Sequence, residues 1–135
     1  MRLRTLTFPL LLFAFLAASA ARGEVPPAAP SGPVHHVVIV WLKEHGSEAA
    51  RQRYIENSRQ LGKLPMVVHY RVGTALPSDQ RTVVDSSYDV AIVASFANRE
   101  ALGDYLAHPE HRRILDESLK PLVDRVVVYD FQEAP

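Results

Sequence analysis

The densest chemistry in the sequence lies between Tyr105 and His111, where one tyrosine and two histidines fall within seven residues, YLAHPEH. A histidine near its ordinary pKa, about 6.5, takes and returns a proton at neutral pH. A tyrosine hydroxyl beside it can orient it or polarise a carbonyl. The same groups can equally be buried polar side chains that tie helices together, since buried polar atoms need partners. His108 and His111, at i and i+3, raise a metal alternative. Pro109 breaks the helical geometry between them, and no third ligand is placed where metals usually need three or four. No metal and no cofactor is expected. Further back, His35 and His36 are adjacent and, on a strand, point to opposite faces. His69 and Arg71 share one strand face and could bind an acidic ligand, or else sit at a subunit rim or in solvent.

These side chains depend on the stretch Tyr88–His111, YDVAIVASFANREALGDYLAHPEH. Tyr88, Val90, Ile92, Ala94 and Phe96 alternate with Asp89, Ala91, Val93 and Ser95, which predicts a strand apolar on one face and apolar in the middle of the other. Asn98 suits a helix N-cap, and Glu100 suits the positive end of the helix dipole. Ala101, Leu102, Tyr105 and Leu106 recur at helical spacing. Pro109 ends that helix and can open the next. His111, Ile114, Leu115, Ser118 and Leu119 then form one stripe, which turns His111 inward towards Tyr105.

The rest of the chain supplies one small domain with an export tail. Arg2 and Arg4 precede an apolar run, Phe8–Ala17, of the length of a signal-peptide core, about 7–15 residues. A membrane span needs about 20. Ala18-Ser19-Ala20 reads as a cleavage site, so residues 1–20 are expected to be a signal peptide and the mature protein periplasmic or secreted, from a bacterium. Residues 21–33 form a proline-rich linker. Removal of Arg2 and Arg4 leaves 13 basic against 15 acidic residues, a net charge near −2. That balance offers no basic stripe for nucleic acid and no polybasic patch for membrane. The absence of cysteine excludes disulfides, thiol catalysis and Cys-ligated zinc.

The domain, residues 34–132, reads in order as a strand in HHVVIVWL, a helix from Ser47 to about Leu61 closed by Gly62, and a strand in MVVHYRVGTA. A polar loop leads to the central strand and the broken helix, and a last strand lies in VDRVVVYDF. This is an α+β, ferredoxin-like βαββαβ pattern with a four-stranded antiparallel sheet. Its helices can cover only one sheet face. The other face is apolar too, and monomers seldom leave such a patch open. Two sheets packed face to face, making a barrel-like homodimer with two-fold symmetry, are therefore expected.

The stretches HHVVIVWL, LPMVVHYRVG, YDVAIVASFANREALGDYLAHPEH and VVVYDF resemble, in that order, the stress-responsive A/B barrel (Dabb) family. The most specific part is Phe96–His111, with Tyr105 and the His108-Pro109-x-His111 element. The resemblance implies a dimeric α+β barrel and, for most members, no assigned activity. One plant branch cyclises linear polyketides, and by that resemblance His36, Tyr105 and His111 stand where the branch keeps its working polar residues. As a set they could abstract a proton next to a carbonyl and drive an aldol-type closure. Two classes of function follow. One is an exported small-ligand-binding or stress-related module; the other is a cofactor-free enzyme, a cyclase or an oxygenase, acting on an aromatic or polyketide-like ligand. The enzyme class needs an open cavity of about 300 Å³ or more lined by the three residues.

Overall fold

A computed structural model describes residues 32–77 and 81–134. The expected signal peptide and linker residues 21–31 lie outside the described residues. The elements run β1 (Val34–Leu42), α1 (Glu48–Ser58), β2 (His69–Thr74), β3 (Val90–Phe96), α2 (Arg99–Ala107), α3 (Pro109–Ile114) and β4 (Val123–Gln132). Among the described residues no helix is long and apolar enough to cross a membrane.

Local signals set most of the boundaries. Ser47 caps α1 by accepting from the Ala50 N–H at 3.2 Å, and Asn98 caps α2 by accepting from the Ala101 N–H at 2.9 Å. Pro109 stands in the first turn of α3, as its missing N–H allows. Beyond α3 the chain widens into a π-helical turn, Leu115–Leu119, and tightens again at Lys120–Leu122. Two expectations shift. β2 starts at His69 rather than Met66, because residues 65 and 66 are still in the turn that the Val67 N–H closes onto the Leu64 carbonyl. Gly62 is not the cap of α1. The helix ends at Ser58, and Gly62 lies in the short 3₁₀ turn Leu61–Lys63. Its reason for being glycine is proximity: a Cβ there would meet Tyr70 Cβ and Cγ at 2.7 Å.

The sheet order is β2-β3-β1-β4, antiparallel throughout, with β1 at the centre beside β3 and β4. The helices cover one face, where Val40, Val90, Ala94 and Phe96 meet Tyr54, Tyr105, Ile114 and Leu119. The opposite face carries Val37, Ile39, Val93, Val127, Tyr129 and Phe131, with none of the described helices over it. Tyr129 and Phe131 are 60% and 52% exposed. At one end of this face the Arg125 guanidinium lies 3.5 Å over the Trp41 ring, whose N–H donates to Ser87 Oγ at 3.1 Å. The ferredoxin-like α+β architecture is thus present, but the expected barrel is not. β2 and β4 remain the two edges of an open sheet, and among the described residues no pairing joins them. Four strands are too few to curl into closure, which takes more strands with a consistent tilt and stagger.

One buried carboxylate holds the connection between β1 and α1. Asp89 is 1% exposed, and it accepts from the Leu42 N–H and the Gly46 N–H, each at 2.9 Å. His45 Nδ1 lies 2.8 Å away, and Arg51 approaches to 3.7 Å. Gly46 carries the positive φ, 78°, that this turn requires.

Candidate functional site

β1, β4, α2 and α3 converge on one cavity of about 260 Å³ on the helical side of the sheet. His36, Tyr105 and His111 all line it. Each arrives by a different local rule. His36 sits on the core face of β1, opposite Ala94 on one side and Asp130 on the other. Tyr105 lies on the buried stripe of α2, and His111 on that of α3, with the Pro109 break between them setting the angle of approach. The Tyr105 ring is 4.4 Å from the His111 ring, 4.9 Å from Phe96 and 6.2 Å, edge-on, from His36, measured between centroids. The inward turn of His111 read from the sequence is therefore present.

The polar groups differ in their surroundings. His36 Nδ1 lies 2.6 Å from Asp130 Oδ1, to which its N–H donates. With Nδ1 holding the proton, the neutral ring carries its lone pair on Nε2. His111 is 6% exposed, and its Nδ1 is buried without a hydrogen-bond partner. Burial pushes its pKa down to about 4, with the charges of His36, Arg112, His108 and Lys120 acting in the same direction. It is neutral at pH 7. Burial raises the Tyr105 hydroxyl above its ordinary value, and Tyr70 and Tyr54 add to this. That hydroxyl keeps its proton and stays a donor. Much of the rest of the wall is apolar, with Val38, Ile92, Leu115 and Leu119 inside and the half-exposed Val126 and Val128 at the rim, and Tyr54 adds a second buried phenol. Lys120 also borders the cavity and is held by Asp116 at 2.5 Å.

The arrangement can bind a small apolar body with one oxygen function at its histidine end. It can offer that function a base, a hydroxyl donor and a neutral imidazole. His69 and Arg71 are not part of it. They share a face, as expected, but the open one, opposite Ser95 and Val93. His35 is on that face too, with Nδ1 2.9 Å from Ser95 Oγ and Nε2 2.8 Å from Glu133. His108 is a cap: its Nδ1 accepts from the Glu110 N–H at 3.2 Å. Among the described residues no group of three or more His, Asp, Glu or Cys side chains is placed to hold a metal. Asp130 and Lys120 were missed by sequence reasoning. Asp130 had a signal, a carboxylate in the otherwise apolar VVVYDF at the same parity as Val126 and Val128; Lys120 had none.

Comparison with known proteins agrees with this architecture. The model of the family described as "Stress responsive A/B Barrel Domain" matches residues 34–133. A stress-response A/B barrel domain-containing protein from Arabidopsis thaliana is 24% identical over 98 residues, which are 73% of this chain and 36% of that protein. The match thus spans little more than a third of that relative's length. A dimeric ferredoxin-like protein of unknown function from Thermobifida fusca is similar in structure, with TM-score 0.61, 20% identity and coverage of 76% of this chain and 92% of that one. So is the hydroxynitrile lyase of Passiflora edulis, with TM-score 0.63, 18% identity and coverage of 78% and 96%. These structural likenesses concern the fold. With a family model matched across nearly all of the described residues, the chain belongs to the stress-responsive A/B barrel domain (Dabb) family.

Proposed function

We propose that this domain binds a small carbonyl or hydroxyl compound with an apolar body and moves a proton on it without a cofactor. The observation that carries the reading is the convergence of His36, Tyr105 and His111 on one apolar cavity, with His36 fixed by Asp130. His36 Nε2 is the base, oriented through its other nitrogen. Tyr105 donates to the oxygen on which negative charge develops, and the low dielectric of the cavity strengthens that bond. On a hydroxynitrile the base would take the hydroxyl proton as the C–CN bond breaks to leave a carbonyl, and the protonated His36 would return that proton to the departing cyanide. On a poly-ketone the same base would take a proton next to a carbonyl, and the carbanion would close onto a second carbonyl. The fold likeness to the Passiflora lyase supports the first of these as the one to assay first.

The binding-only reading also has an observation in its favour. The cavity is smaller than the roughly 300 Å³ expected of a site for a drug-sized ligand. The domain then holds its ligand without turning it over, as a stress-related module. Either way we place the protein as a homodimer formed through the open sheet face, because Tyr129 and Phe131 stand exposed there and a structural relative is dimeric. We also place it outside the bacterial inner membrane, on the strength of the export signal read in residues 1–20.

The test is cleavage of mandelonitrile and cyclisation of a linear tri-ketone, followed by benzaldehyde release and by product mass. Wild-type turnover that falls about 100-fold or more in His36→Gln, within the range for loss of a general base, supports the enzyme. Saturable binding of both compounds with no turnover supports the binding module. The absence of both binding and turnover would contradict the proposal.

A further inference from the structure

A second, shallow and open concavity also borders the Leu61–Lys63 turn. It has a volume of about 530 Å³ and is lined by Arg59, Gly62, Lys63, Tyr70, Arg71 and Val72. Three of its six lining residues are cations and none is an acid. Arg59, Lys63 and Arg71 make no ion pair among the described residues, in common with most of the described cations, but they alone share one groove. Three like charges left together around one groove repel one another, and a chain carrying equal numbers of basic and acidic residues had carboxylates with which to neutralise them.

The groove is also held in shape. Arg59 and Lys63 come from the end of α1 and the turn after it, and Arg71 comes from the edge strand β2, so the groove lies at the rim of the sheet face proposed for the homodimer. What sets the distance between these two elements is Gly62, whose Cα rests on the Tyr70 side chain with no room for a Cβ. The cations are therefore presented from two elements in fixed contact. We infer that this groove is a binding site for a multivalent oxyanion, a ligand bearing phosphate or several carboxylates, separate from the histidine cavity. Two guanidinium forks can each take two oxygens of such a group, and Lys63 adds a point charge. Tyr70 and Val72 flank the cations with apolar surface for the organic part of the ligand. The acidic ligand that His69 and Arg71 suggested in the sequence is thus assigned to Arg71 with Arg59 and Lys63. The assignment does not rest on catalysis in the cavity. Two features connect the sites: the turn puts Leu61 into the cavity wall and Gly62 and Lys63 into the groove, and Tyr70 of the groove acts on the Tyr105 hydroxyl of the cavity.

The experiment is a titration of the full chain with sodium pyrophosphate in low-salt buffer, read by backbone amide NMR, with trisodium citrate as a second arm. Saturable shifts confined to residues 59–63 and 70–72 are expected. Arg59→Gln with Arg71→Gln should weaken the binding at least 10-fold, while Arg99→Gln, an exposed cation on α2, should leave it unchanged. Tighter binding of pyrophosphate than of citrate would identify a phosphate-bearing ligand, and the reverse a carboxylate-bearing one. Shifts scattered over cations across the surface, or equal binding by the double variant, would overturn the site. If the double variant fails to fold, Lys63→Gln alone, expected to weaken binding at least 3-fold, decides the question in the same way.

Discussion

His111 carries the clearest consequence at the scale of single residues. Its folded pKa, about 4, lies below the roughly 6.5 of an unfolded histidine. Stability from this group is therefore fully present above pH 6.5 and is lost as the pH falls towards 4, because the unfolded chain binds the proton first. His111→Phe should abolish that dependence. Between pH 7 and 4.5 the wild type should lose on the order of 2 kcal/mol more than the variant, measured by urea unfolding at each pH. Parallel pH profiles would show that the imidazole is not buried as described. The inward turn of His111 was readable from its stripe with Ile114 and Leu119. The partner of His36 was not, because strand register decides which residue of β4 lies opposite, and no local pattern states the register. The three residues of the set were named together only through a family likeness, and the structure supplies what the residues alone could not: one shared cavity.

At the scale of elements, caps and breaks were legible and contacts between elements were not. Asn98, Pro109 and Ser47 announce themselves because each acts within its own turn. Gly62 misleads for the opposite reason, since its place is fixed by Tyr70 on another element. Gly62→Ala should force the turn off β2 and destabilise the domain by about 1–3 kcal/mol, as overpacking does. Asn98→Ala should cost about 1 kcal/mol through loss of the α2 cap. Chemical denaturation measures both. A Gly62→Ala variant as stable as the wild type would mean that the turn and β2 are not in the contact described, and the geometry of the basic groove would go with it. The pin at Asp89 belongs here too. Burial works against its charge, yet the N–H groups of Leu42 and Gly46 and the His45 ring hold its pKa below the ordinary carboxylate value.

For the whole molecule, the two-sided apolar character of the sheet was readable from the β-branched runs, and the uncovered face confirms it. Closure of the sheet was not readable. Whether strands meet at the edges is a matter of number and curvature, and the structure leaves β2 and β4 apart. Val93 lies near the middle of the open face, opposite Arg71 and Val37. Val93→Glu should therefore convert a dimer to monomers or unfold it, seen as a fall in sedimentation coefficient or loss of the folded spectrum. An unchanged coefficient would place the subunit contact elsewhere.

The cavity carries the functional account, and acetophenone, a small neutral aryl ketone, probes it directly. Long-range proton–nitrogen spectra of the histidine side chains would be recorded during its titration. The account predicts that the His36 and His111 ring nitrogens shift together along one saturable curve, while those of His35, His45, His69 and His108 stay in place. No shift at His36 and His111, or equal shifts at all six histidines, would contradict it.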